Sequence, residues 1–211
     1  ILYLPPRLAH WGIARGECMT WSVGFRAPSD RELLDNFCNY LVERTPEHAR
    51  YGDAGLRTTH HPGVLAPSAI ETFRRRLDNL LNEPGVLEDF LGRWLSEPKY
   101  GHQQPEAPDR QWTDARLRQA LGSARSVRRE EGSRFLFVPE LFEPSLFIDG
   151  ERTRLEDSPL LVRAAALVAD HRLIDPRQVL ELLADEDAGH LFLRLFNSGH
   201  LYFPEEEDTT S

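Results

Sequence analysis

Cysteine is nearly missing from this chain. Cys18 and Cys38 are the two present, and no C-x-x-C spacing occurs. That excludes a disulfide framework and favours two free, buried thiols in a reducing compartment. Long apolar runs are missing as well: none approaches the ~18 residues of a membrane-spanning helix. No signal-peptide pattern is present, so the expected setting is the cytoplasm, away from membranes. Basic residues are in deficit, 25 against 34 acidic, for a formal net charge of -9. A chain of that sign is poorly suited to broad nucleic-acid binding through a basic surface. No H-E-x-x-H, P-loop or G-x-S-x-G occurs, and none of the eight histidines opens an H-x-D or H-x-E triplet. A compact two-histidine, one-carboxylate metal motif is therefore excluded within these 211 residues.

What is present suits a folded protein with one large domain or two small ones: 40% hydrophobic and 28% charged residues. The chain opens on Ile1-Leu2-Tyr3-Leu4-Pro5-Pro6, which reads as a strand end entering a turn and suggests an upstream segment. Residues 1–26 read as strands. In Thr20 to Arg26, Trp21, Val23 and Phe25 share one face, and Thr20, Ser22, Gly24 and Arg26 the other. The small polar face either lines a pocket or meets solvent.

Residues 29–97 read as helical. Capping-box pairs Ser29/Glu32 and Ser68/Glu71 open two helices, and Asn82-Glu83-Pro84-Gly85 separates the second from a third. Three amphipathic helices predict a small bundle with apolar surface to spare for a homodimer, with Leu87, Phe90 and Trp94 as interface candidates. A polar linker spans 98–112 and a short helix 114–121. Arg116, Arg118, Arg125, Arg128, Arg129 and Arg134 form a basic cluster, either a solvated face or a contact to an acidic partner or RNA.

The last part reads as a strand at 134–138, then Ser145 to Ile148 and Glu151 to Leu155 joined by Asp149-Gly150, a strong hairpin signal. Helix starts follow at Asp157-Ser158-Pro159 and Asp175-Pro176, a third helix covers 188–196, and a short strand follows Gly199. This order suggests a winged-helix-like unit. From 135 to 208 it holds six arginines against sixteen carboxylates, a net charge of -10, so DNA is not its expected partner.

His10 stands apart from the other histidines, after the stiff Pro5-Pro6-Arg7 turn and before Trp11-Gly12. Taken alone it is either a divalent-metal ligand or a structural or surface residue. The runs Leu2 to Ala14 and Cys18 to Ser29, with their proline pair, histidine, glycine and Ser22-Val23-Gly24-Phe25-Arg26-Ala27-Pro28-Ser29, resemble the closing part of the JmjC barrel of bacterial ribosomal oxygenases. These belong to the cupin-like iron(II)- and 2-oxoglutarate-dependent superfamily.

The resemblance implies an α+β architecture. Residues 1–28 would end a JmjC/cupin double-stranded β-helix barrel. Residues 29–112 would form a helical dimerisation domain and linker, and 113–211 a winged-helix-like domain with an acidic tail. It implies that His10 is the later histidine of an H-x-D…H iron triad, whose H-x-D pair would lie upstream of Ile1. It implies that Ser22 approaches the 2-oxoglutarate cosubstrate. The activity implied is hydroxylation of a side chain, arginine foremost, on a large-subunit ribosomal protein, by a parent protein of which this chain alone is inactive. The negative charge suits an arginine-rich ribosomal partner. Two other function classes remain open on sequence: a non-enzymatic dimerisation scaffold, and a winged-helix nucleic-acid regulator.

Overall fold

The computed structural model describes residues 2–5, 8–19, 27–48, 50, 52, 60, 61, 63–98, 105–139, 143–155 and 158–204. The chain divides into two compact units, Ile1–Thr45 and Pro46–Ser211.

In the first unit, residues 2–5 and 8–19 carry no strand. This differs from the expected strands over 1–26. A strand is defined by a ladder to a neighbour, and among the described residues nothing pairs with this segment. The expected strand at 20–26 lies outside the described residues. Leu8 N–H donates to Pro5 O (3.3 Å), and the rest of the expected Pro5-Pro6-Arg7 turn lies outside the described residues. Helix α1 (Asp30–Arg44) begins with the expected capping box: Ser29 Oγ accepts from Glu32 N–H while the Glu32 carboxylate accepts from Ser29 N–H. No residue of α1 is buried. Cys18 and Cys38 are free as expected but exposed rather than buried. Cys38 sits on the outward side of α1, where no packing requires it.

The second unit contains α2 (Pro67–Leu81), α3 (Val86–Ser96), α4 (Asp114–Ser123), β1 (Val127–Arg129), β2 (Phe135–Val138), β3 (Ser145–Ile148), β4 (Glu151–Arg154), α5 (Pro159–Asp170), β5 (Leu173–Ile174), α6 (Pro176–Leu182), α7 (Glu186–Asn197) and β6 (Leu201–Tyr202). The second capping box is not formed. α2 starts two residues earlier, at Pro67 with Ala66 as N-cap and no side-chain cap bond, so Ser68 already lies within the helix. Proline's fixed φ and missing N–H make it a good first helical residue, and it sets the start here.

Among the described residues two three-stranded antiparallel sheets are present, β5-β1-β6 and β2-β3-β4. In the second, β3 is central and buried at all four positions, because both of its faces are covered. Leu146 and Ile148 point, with Phe135 and Phe137 of β2, into the main core. That core is completed by Leu117 and Leu121 of α4, Val168 of α5, Val179 of α6, and Phe192 and Phe196 of α7. Phe147 points the other way, with Leu136 and Arg152. There α3 lies across the sheet, and Gly92 leaves the space the Phe147 ring fills. A helix needs an apolar face to pack against, and α3 finds it here. α3 therefore packs against the strands of the β2-β3-β4 sheet. Of Leu87, Phe90 and Trp94, candidates for a dimer surface some of which were expected to fill the protomer core, Phe90 is 3% exposed and belongs to this packing.

The Asp149-Gly150 hairpin is as expected, with register Ile148↔Glu151 and φ of 50° and 86° at the two turn residues. Both positive values are those of a type I′ turn, whose twist matches that of the strands it joins. Ser158, Asp175 and Asp185 each cap the helix that follows by accepting a backbone N–H.

Candidate functional site

His10 is exposed in the first unit. Its Nδ1 lies 3.2 Å from Leu8 O. A carbonyl oxygen only accepts, so this contact requires the proton on Nδ1. In the neutral ring the lone pair then sits on Nε2. Metal-binding histidines commonly fix their tautomer by this kind of backbone bond. The donor chemistry of His10 thus fits a ferrous site that takes one imidazole. No group of three or more His, Cys, Asp or Glu able to hold a metal is found among the described residues. Ser22 lies outside the described residues.

The second unit holds two polar clusters that motif reading missed. In the first, Asp89 of α3 is 3% exposed. Its Oδ2 accepts from Arg93 Nε (3.0 Å) and its Oδ1 from Arg152 of β4 (3.1 Å). Arg152 Nε donates in turn to Ser145 Oγ (2.9 Å). Buried charges persist when paired and hydrogen-bonded like this. Beside them Ser96 Oγ accepts from Gly150 N–H (3.1 Å) and donates to Gly92 O (2.7 Å). These bonds lock α3 to the hairpin.

The second cluster lies at the same turn. Asp149 Oδ1 accepts from Arg134 N–H (2.7 Å), and its Oδ2 lies 3.2 Å from His200 Nε2. His200 Nδ1 is 2.6 Å from Ser198 Oγ, which also donates to Leu195 O (3.2 Å). Burial pushes the Asp149 carboxyl up, but the hydrogen bonds from His200 and the Arg134 backbone, with the imidazole's charge, outweigh it and hold its pKa below the usual carboxylate value. The serine–histidine–aspartate order resembles a hydrolase triad in type only. The hydroxyl is on Nδ1, and the Ser198 and Gly199 N–H groups are spent on Arg194 O and Phe196 O, leaving neither as an oxyanion donor. The cluster joins the hairpin turn to the start of β6.

The arginine cluster is taken up within the fold. Arg116 stacks on Trp112 (4.3 Å), and Arg118 pairs with Asp114 (2.7 Å) and donates to Leu183 O. Arg129 closes the C-terminus of α5 through Val168 O and Ala169 O, and burial, with Arg172 nearby, lowers its pKa. Arg134 reaches Leu95 O (3.3 Å). Its spacing in sequence gave no signal of these separate partners.

Helices and short strands in this order make the second unit a winged-helix protein of acidic character. Residues 78–202 match the ROXA-like winged helix family, more than half of the chain, and the chain belongs to that family. Residues 1–33 match the JmjC domain. The ribosomal protein uL16 3-hydroxylase of Escherichia coli (strain K12) is 27% identical over 205 residues, covering 96% of this chain and 52% of that protein. A probable ribosomal oxygenase of Haemophilus influenzae (strain ATCC 51907 / DSM 11121 / KW20 / Rd) is 29% identical over 157 residues, 74% of this chain and 32% of the relative. The chain thus spans about half the length of the first and a third of the second. The Escherichia coli ribosomal oxygenase YcfD shares the fold. Its complex with cobalt and succinic acid gives a TM-score of 0.71 and that with cobalt and 2-oxoglutarate 0.69. Each is 24% identical and covers 87% of this chain and 48% of its own.

Proposed function

We propose that this chain is the C-terminal portion of an iron(II)- and 2-oxoglutarate-dependent oxygenase that hydroxylates a side chain, arginine foremost, of a large-subunit ribosomal protein in the cytoplasm. Residues 1–28 end its JmjC/cupin-like barrel, residues 29–112 carry the helices for dimerisation and the linker, and residues 113–211 form the winged-helix-like part onto which α3 packs. The observation that carries the reading is His10. It lies within the segment that matches the JmjC domain, and its Nδ1 is committed to Leu8 O. This leaves Nε2 as the nitrogen for the metal. The relative's cobalt and 2-oxoglutarate complex supports the same cofactor pair here, with iron as the working metal.

When bound, iron(II) and 2-oxoglutarate supply the oxidising power to place oxygen on an unactivated carbon. The chain's contribution is to present His10 in one tautomer and, through Ser22, to approach the cosubstrate. A ribosomal protein rich in arginine would be drawn to a chain of net charge -9. The scaffold reading explains the helices but not the His10 segment, and the charge opposes the nucleic-acid reading.

The test uses the full-length parent, wild type and His10→Ala, matched for folding by circular dichroism. The variant should lose iron affinity and succinate formation with a ribosomal-protein substrate. Wild-type iron affinity and turnover in a folded variant would return His10 to a surface role. The 211-residue chain alone should be inactive.

A further inference from the structure

Arg129 and Arg172 stand opposite each other where β1 meets the start of β5. Arg129 N–H donates to Arg172 O (3.0 Å), which continues the register Val127↔Ile174, Arg128↔Leu173. Side chains alternate along a strand, so both arginines leave on the face that carries Val127 and Ile174. Directly opposed side chains start about 5 Å apart, and like charges placed so destabilise the pairing. Arg129 spends Nη1 on Val168 O and Ala169 O, and its Nε is buried without a partner. Arg172 is exposed, and among the described residues its side chain has no hydrogen bond or ion pair. Arg118 and Arg152, by contrast, have Asp114 and Asp89.

We infer that this arginine pair is a binding site for a small phosphate dianion. Guanidinium forks suit phosphate, and its tetrahedral oxygens can accept from both groups at once. A phosphate group carries about -1.5 to -2 charge near neutral pH, which offsets the two arginines. The chain's net charge of -9 repels long polyanions, and so selects a small ligand over RNA or an acidic peptide. The bound anion ties β1 to the start of β5, beside the end of α5 that Arg129 already closes.

The experiment follows thermal unfolding of the 211-residue chain in inorganic phosphate up to ~50 mM, against potassium chloride of equal ionic strength. A ligand that binds only the native state raises Tm with its concentration, and the curve gives its Kd. Phosphate also strengthens apolar burial in general, but that acts on every variant alike. The variants are Arg172→Gln, whose side chain carries no bond that the fold needs, and Arg163→Gln, an exposed α5 arginine away from the pair. Circular dichroism checks that each folds. Wild type and Arg163→Gln should show the same saturable rise, and Arg172→Gln should bind at least ~tenfold more weakly. Glycerol 3-phosphate separates the sources of the ligand. An equal rise assigns the site to phosphomonoesters, and a rise with inorganic phosphate alone assigns it to the free ion. No saturable rise in wild type, or an unchanged Kd in Arg172→Gln, overturns the site. An equal loss in Arg163→Gln also overturns it, because the response then follows net charge alone.

Discussion

Replacing Asp89 by alanine should unfold the joint between α3 and the hairpin sheet. The carboxylate holds two guanidinium groups, and they differ in value. Arg152 is 14% exposed and Asp89 4% by side chain, so this pair is desolvated on both sides. Removing one member of such a pair leaves a buried charge uncompensated and costs about 3–5 kcal/mol. Arg93 is 43% exposed and can turn to water, so its loss adds ~0.5 kcal/mol or less. Urea denaturation followed by far-UV circular dichroism should give a loss of about 3–4 kcal/mol for Asp89→Ala, taking the low end of the buried-pair range because Arg152 keeps its bond to Ser145 and the Phe147 ring. A drop in Tm of about 6–16 °C should accompany it in a chain of this size. Arg93→Gln should cost less than ~1 kcal/mol. Trp94, stacked on Phe90 at 5.4 Å, provides a near-UV and fluorescence signal from the same helix. A loss below ~1 kcal/mol for Asp89→Ala would show that Arg152 finds water or another acceptor without cost, and the clamp argument would fail.

Other outcomes follow from the same structure. The Asp149 pKa is lowered on folding, so its carboxylate stabilises the fold above its unfolded value of 3.8, and that contribution is lost as pH falls through the folded value. Wild type should lose stability below about pH 4, and Asp149→Asn should flatten this acid limb; equal acid limbs in denaturant titrations would refute the assignment. Gly199→Ala should destabilise by at least ~2 kcal/mol, because φ is 78° and a Cβ would strike the Glu106 backbone; a neutral thermal melt would count against that packing. In fluorescence anisotropy at physiological salt, the full chain should show no tight, salt-sensitive binding to duplex DNA.

Local chemistry was the legible part of this fold. Ser29 with Glu32, Ser158 before Pro159, Asp175 before Pro176, and the Asp149-Gly150 turn each act within a few residues, and each was readable in order along the chain. β1 and β5 were not readable. They are three and two residues long, and they exist because Val127 pairs with Ile174 and Arg129 with Leu201 across distant segments. Periodicity gave α3 an apolar face without naming what it meets, so its place against Phe147 had to come from tertiary packing. Asp89 reads as an ordinary acidic residue in a first helical turn. Its burial depends on Arg152, sixty-three positions away. His10 was visible through its flanking residues, whereas the Asp149–His200 contact spans fifty-one positions and left no motif.

Hairpin tips are usually where a chain tolerates extra residues, because they project from the body they serve. The turn at Asp149 and Gly150 is an exception. Its side chain and backbone are bonded at once to Ser96, Arg134 and His200. A peptide tag or circularly permuted end placed there would sever all three attachments together. For labelling, display or splitting this protein into complementing halves, the tip that looks most available in sequence is the one to avoid.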